Sequence, residues 1–334
     1  MHCTDDEAQV LALIASQIGN DVPTDLETLE RLGERYWIFK NDYRSAAASL
    51  VERGLLIDRA AGLALSREAA PIADELRRER PDMYYYYYRE FYPRAWASDA
   101  HSELCRRAFG RDLCQEGMTD MEALDGLLDG CKLVSGQRVL DLGCGAGGIS
   151  NYVFERHGVQ VTGIDNAKPA IAQARNVFAH HAEHLTFLEA DLNDLKLDGE
   201  FDAALAIDVL YWVADLTETV SAVLKLLKPG GQMVVIMTHS QEDGEGPGRV
   251  PPERTRFGKA AKRLGLSFET VDLTEHNFAF WKRNYQAAID LKPQFEVEGN
   301  GFIADSLIRE AEEDFLPFFE QQKISRYLFH VRLP

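Results

Sequence analysis

The chain has 334 residues, 46% of them hydrophobic, and a formal net charge of −18 at pH 7. That hydrophobic content is enough for the cores of one large domain or two modest ones, and the acidic balance works against partners with phosphate backbones. Five cysteines without C-x-x-C pairs suggest neither a disulfide framework nor a zinc site; no leader pattern and no run of roughly 18 apolar residues appears, so a cytoplasmic protein with no membrane or nucleic-acid partner is expected.

Apolar residues recur at helical spacing from Asp5 to Ile18, and helical stretches follow at Thr24–Tyr36 and at Tyr43–Arg53 before Gly54. Two short strands, Leu55–Asp58 and Leu63–Ser66, are joined by a turn containing Gly62. Three helices and a two-stranded wing predict a small, mainly helical winged-helix-like domain over residues 1–80. The run Ala46–Leu56 resembles the recognition helix and wing entry of that fold, which in regulators enters the major groove. Through residue 80, however, 10 Lys/Arg stand against 15 Asp/Glu. Dimerisation is therefore the expected role of this domain, and the protein is expected to be a homodimer.

Residues 81–130 read as an aromatic helical connector. Tyr84, Tyr88 and Tyr92 are spaced four apart and would share one helix face. That face is either a packing surface or a lid; in the lid reading Tyr84 and Tyr92 touch substrate and Tyr88 is a catalytic hydroxyl.

From residue 131 to 334 apolar strands alternate with helices, which predicts an α/β domain: a seven-stranded, mostly parallel sheet with helices on both faces. Strands are expected at Arg138–Leu142, Gln160–Asp165, Leu185–Glu189, Phe201–Ile207 and Gln232–Thr238, with two more near Ser267–Asp272 and Arg326–Arg332. An insertion on the substrate side is expected over about 239–325.

The first of these strands runs into Leu142-Gly143-Cys144-Gly145-Ala146-Gly147-Gly148. The spacing of Gly143, Gly145 and Gly148 also fits the dinucleotide fingerprint. Asp141, just before the first glycine, would repel a pyrophosphate but suits a positively charged amino group. Asp165, at the end of the next strand, can accept two ribose hydroxyls, a feature that either class of ligand would use.

Together these residues resemble the first motif of the class I, Rossmann-like S-adenosylmethionine-dependent methyltransferases. Four further segments resemble that family in order: Val161–Asp165, Glu189–Leu192, Phe201–Leu210 and Leu227–Gly231. The resemblance implies a cofactor site built from Gly143, Gly145, Gly147, Asp141 at the methionine amino group, Asp165 with Asn166 at the ribose, Asp191 with the Leu192 amide at the adenine, and Asp208 facing the methionine part. In small-molecule members the segment Phe109–Gly117 crosses the cofactor, which nominates Gln115. Small-molecule O-methyltransferases also carry a similar N-terminal domain for dimerisation. The implied activity is direct in-line transfer of the sulfonium methyl of S-adenosylmethionine to a small molecule, leaving S-adenosylhomocysteine. The alternative is a winged-helix DNA-binding regulator that senses S-adenosylmethionine.

On the substrate side, His239 closes the fifth strand at the ligand-binding edge of the sheet and is the candidate general base, with an exposed loop histidine as the alternative. Tyr211, Trp212 and Trp281 are aromatic candidates for holding a cation, against plain core packing. The turn Glu298-Gly299-Asn300 either brings a carboxylate and an amide to the pocket or stays solvated. These features, with the acidic balance, favour an amine over an oxygen or carbon acceptor. No cluster with metal-ligand spacing is visible, so no metal is expected.

Overall fold

The computed structural model describes residues 3–17, 24–30, 42–79, 91–213, 215–241 and 248–334. Tyr84 and Tyr88 lie outside the described residues. The chain divides into two compact units, Met1–Phe91 and Tyr92–Pro334, so residues 92–130 of the expected connector belong to the second.

In the first unit, α1 (Asp5–Gln17), α2 (Tyr43–Glu52) and α3 (Ala69–Glu79) pack with an antiparallel hairpin of β1 (Leu56–Arg59) and β2 (Gly62–Leu65). Of the expected helix at 24–36, residues 26–30 are helical and the part beyond residue 30 lies outside the described residues. The hairpin closes more tightly than the sequence reading places it. Arg59 pairs with Gly62, so Ala60 and Ala61 alone make the turn and Gly62 opens β2. Val10, Leu11 and Ile14 of α1 meet Leu50 of α2 and Leu56 and Leu63 of the hairpin in one apolar core. Beside it, Glu7 accepts hydrogen bonds from Arg53 (2.6 Å) and Ser49 (2.7 Å), tying α1 to the end of α2.

The second unit begins with helical residues 92–96, then α4 (Asp99–Phe109) and α5 (Met121–Cys131), and continues through β3 (Arg138–Leu142), α6 (Gly148–His157), β4 (Gln160–Asp165), α7 (Lys168–Val177), β5 (Leu185–Glu189), β6 (Phe201–Ile207), α8 (Leu216–Leu224) and β7 (Leu227–Ser240). After it come α9 (Arg256–Arg263), β8 (Phe268–Asp272), the long α10 (Thr274–Val297), α11 (Gly301–Glu310), a π-helical turn Ala311–Phe315, α12 (Leu316–Glu320) and β9 (Ile324–Arg332). The strand order is β5-β4-β3-β6-β7-β9-β8. All pairs are parallel except those made by β9, which runs antiparallel to both β7 and β8. This is a Rossmann-like α/β domain with a seven-stranded, mostly parallel sheet.

Alternation along each strand sends successive side chains to opposite faces. Val139, Val161, Leu205 and Ile236 face one core, built with Leu124 and Leu128 of α5 and Val153 of α6. Leu140, Ile164, Ala206 and Val235 face the other, built with Val220 of α8 and Phe257 of α9. Burial on both faces explains why these strands read as nearly continuous apolar runs. β7 starts earlier than expected: Phe201 pairs with Leu227 and Ala203 with Gln232, so the Lys228–Gly231 turn bulges out of the ladder.

Candidate functional site

The strand order reverses at β3, whose neighbours are β4 on one side and β6 on the other; in open α/β sheets the crevice at that point is where ligands bind. The glycine loop leaves β3 here. Gly143, Gly145 and Gly147 all have positive φ (68°, 53° and 82°), conformations that L side chains resist. The loop is tied to the end of β4: the Gly143 and Cys144 amides donate to the Ile164 carbonyl, and the Gly145 amide donates to Asp165 Oδ2 at 2.9 Å.

The glycines at 143, 145, 147 and 148 are needed for close approach as well. A Cβ on Gly145 would stand 2.8 Å from the Tyr92 hydroxyl, and one on Gly148 would land on the Leu113 carbonyl oxygen. The loop is thus crossed by a strap, residues 111–119, that links α4 to α5. Strap, glycine loop, Tyr92 and Asp208 line a partly open cleft.

Asp141 lies in β3 under this loop, 3% exposed, and its Oδ2 accepts the Ser150 hydroxyl at 2.5 Å. Among the described residues no lysine or arginine pairs with it. Burial, opposed by the Ser150 hydrogen bond and helped by the nearby Asp165, pushes its carboxyl up to about 7. Burial also raises Asp165, although the Ala167 and Gly145 amides pull against it. Asn166 is half-buried beside it. The Ala190 amide donates to the Asp165 carbonyl, which brings the end of β5 alongside. There Asp191 accepts from the Asn193 amide and side chain (2.8 and 3.0 Å), and Leu192 packs against the α8 side of the sheet.

Asp208, at the end of β6, is in a different state. It is a non-glycine residue in the left-handed region (φ 54°), and its carboxylate accepts five hydrogen bonds. Arg326 of β9 donates to both oxygens (2.6 and 2.8 Å), Tyr211 to Oδ1 (3.0 Å), and the Thr119 hydroxyl and Met118 amide to Oδ2 (2.7 and 3.0 Å). Burial would raise this carboxyl, but the Arg326 charge and hydrogen bonds hold it below its ordinary value. Arg326 is itself 1% exposed and also donates to Thr238 and Thr119. Sequence reasoning named Asp208 and Tyr211 but missed Arg326 and Thr119. The available signal was an arginine directly before the apolar run Tyr327–Phe329 of the last strand.

Of the other expected residues, Tyr92 and Gln115 line the cleft. Gln115 is engaged with its own strap, accepting from the Leu113 amide (2.8 Å) and donating to the Arg111 carbonyl (3.2 Å). Trp281 is buried in α10 and stacks on Phe315 (centroids 3.9 Å apart), away from the residues that line the cleft. Its indole N–H finds no partner among the described residues. Trp212 ends a short 3-10 turn, Leu210–Trp212. Glu298 caps α4 instead of facing the cleft: it accepts from the Ser98 hydroxyl and from the Ala100 amide at 2.9 Å. Asn300, 6% exposed, precedes α11 and its amide donates to the Phe295 carbonyl. His239 is also outside the cleft lining. It is 4% exposed, and its Nδ1 accepts the Arg256 amide (3.3 Å) at the start of α9. Among the described residues no group of three or more His, Cys, Asp and Glu side chains is placed to hold a metal, and no helix is long and apolar enough to cross a membrane.

Residues 139–231, from β3 to the turn into β7, match the family described as "Methyltransferase domain". This segment of the chain is a class I, Rossmann-like S-adenosylmethionine-dependent methyltransferase domain. The malonyl-[acyl-carrier protein] O-methyltransferase of Salmonella typhimurium is 38% identical over 164 residues, 48% of this chain and 59% of that protein. The ubiquinone biosynthesis O-methyltransferase of Aromatoleum aromaticum is 35% identical over 102 residues, 30% of this chain and 43% of that protein. The chain thus spans about half the length of the curated relatives it matches. Among solved structures, the Haemonchus contortus phosphoethanolamine N-methyltransferase 2 superposes with a TM-score of 0.59 at 19% identity, over 74% of this chain and 60% of that one. The Mycobacterium tuberculosis cyclopropane synthase gives 0.57 at 16%, over 71% and 95%. At these identities the likeness is one of fold.

Proposed function

We propose that this protein transfers a methyl group from S-adenosylmethionine to a small-molecule acceptor, an amine in preference to an oxygen or carbon nucleophile, by direct in-line displacement. The observation that carries the reading is Asp141, a buried carboxyl at the glycine loop that lacks a cationic partner among the described residues. A carboxyl held up to about 7 by burial is a site prepared for a cation. The ammonium of a methionine moiety is such a cation, whereas a pyrophosphate is the wrong sign.

The other residues fit the same ligand. Asp165 and Asn166 at the end of β4 would take the ribose hydroxyls, and Asp191 with the Leu192 amide the adenine. Gly143, Gly145 and Gly147 keep the backbone thin beneath it, and the strap with Tyr92 closes water out. S-adenosylmethionine supplies an already activated methyl, so the protein's own work is orientation and desolvation. Glu116 in the cleft lining and Asp141 and Asp165 behind the glycine loop, together with the charge of −18, support a cationic acceptor.

The N-terminal unit, net acidic, is assigned to dimerisation, and five free thiols suit a reducing, cytoplasmic setting. Calorimetry tests the cofactor assignment. Wild-type protein should bind S-adenosylmethionine and Asp141→Ala should lose about a hundredfold in affinity; equal affinity in the two would refute it. A panel of amines, phenols and keto acids with labelled cofactor tests the acceptor class.

A further inference from the structure

Glu116 and Asp208 line the cleft and Asp141 and Asp165 stand behind its glycine loop, and the fold treats one of these four carboxylates differently. Asp208 is matched by Arg326, Asp165 by two backbone amides and Asp141 by Ser150. Glu116 lines the same cleft, half-buried, and among the described residues it makes no hydrogen bond or ion pair. The groups that share its electrostatic environment are Tyr92, Cys105, Cys114 and Glu310 of α11, all neutral or acidic. Burial, reinforced by Glu310, pushes its carboxyl up to about 8.

Its backbone, by contrast, is firmly held. On one side Cys114 is fixed in the left-handed region (φ 50°) with its amide bonded to Asp112 (2.9 Å), and Gln115 folds back on Arg111 and Leu113. On the other, the Met118 amide and Thr119 hydroxyl are bound to Asp208, and the Met118 carbonyl accepts from Asn277 of α10 at 2.8 Å. A strap locked on both sides of one unpartnered carboxylate keeps that group in place for something the protein itself does not supply. Strain of this kind in a non-glycine residue persists only where the surroundings over-determine it.

We propose that Glu116 is a catalytic residue that receives the acceptor as a protonated amine, pairs with it, and then takes its proton. This rests on the methyl-transfer reading above. Once the proton has passed to the Glu116 carboxylate, the amine nitrogen forms the new C–N bond as the sulfonium S–C bond breaks. The sulfur keeps the bonding pair and leaves as a neutral thioether, the product leaves as a methylated ammonium, and Glu116 returns its proton to water. A neutral phenol or enol would gain less from this group, because it brings no charge to the pairing.

The test uses the full-length protein and three ligands: S-adenosylmethionine, S-adenosylhomocysteine, and sinefungin, in which a protonated amine replaces the sulfonium methyl. Glu116→Gln keeps the size of the side chain and removes its ability to ionise against a cation or to take a proton. The expected result by calorimetry is S-adenosylhomocysteine affinity within about twofold of wild type, which also reports an intact fold, and sinefungin affinity lowered at least about tenfold. Loss of amine methylation in the same variant is expected alongside. Sinefungin and S-adenosylhomocysteine affinities that change together, or an unchanged sinefungin affinity, would overturn the assignment of Glu116. If wild-type protein binds neither S-adenosylmethionine nor S-adenosylhomocysteine, the cofactor reading falls first and this inference with it.

Discussion

The corner of the cleft at Asp208 and the corner beneath its glycine loop at Asp141 are built on opposite principles. At the Asp208 corner, five donors converge on one carboxylate and a buried arginine neutralises it. At the Asp141 corner, a carboxylate as deeply buried has one hydroxyl and no cation among the described residues. The first corner is complete within the chain and joins the strap to β6 and β9. The second is stable only at a cost, which a positively charged ligand would relieve. An acid in a cleft therefore does not declare its role by type or by position; its partners do.

The largest expected effect lies at the completed corner. Arg326→Leu leaves Asp208 buried and unpaired, and should cost about 3–5 kcal/mol in urea unfolding. Adding Asp208→Asn to that variant should restore part of the loss, and no restoration would mean that the pair is not what holds this corner. At the incomplete corner the sign is reversed. A folded carboxyl that keeps its proton up to about 7, against 3.8 as the ordinary value, stabilises the fold at low pH and loses that contribution as pH rises through about 7. Asp141→Asn should therefore raise the melting temperature of the ligand-free protein at pH 8, by about 5 °C, while weakening S-adenosylmethionine binding. Cofactor binding at pH 7 should also release a proton from Asp141, seen as a binding enthalpy that depends on the buffer.

A smaller effect is expected between the corners. Gly148→Ala drives a Cβ into the Leu113 carbonyl, so the strap must shift, at about 1–3 kcal/mol. Proteolysis of the strap should become faster in that variant; an unchanged rate would argue that the strap is not seated on the loop. The mildest is His239→Ala. With Nδ1 already bonded to the start of α9, the expected loss is about 1 kcal/mol of stability with turnover retained. Abolished turnover with cofactor binding intact would instead make His239 a base.

Much of the fold was legible because its signals are local. The apolar runs of β3 to β6 are bounded by turns and charges, and four strands fall on the expected residues: Arg138–Leu142, Gln160–Asp165, Leu185–Glu189 and Phe201–Ile207. Gly143, Gly145 and Gly147 announce a tight loop because only glycine takes those backbone angles readily. The β1–β2 hairpin was offset by one residue since the sequence marks a turn but not which two residues close it.

What the sequence alone determined is the Rossmann-like sheet, the glycine loop and the acids set along the strand ends, all consequences of periodicity and of short spacings within one element. What only the tertiary structure decided is which acid has a partner. Arg326 lies more than a hundred residues from Asp208, and Glu298 nearly two hundred from the helix it caps. Glu116 differs from them in having no such partner among the described residues. Pairing of that kind depends on how strands and helices meet across the chain, and a carboxylate reads the same in sequence whether it is satisfied or waiting for a ligand.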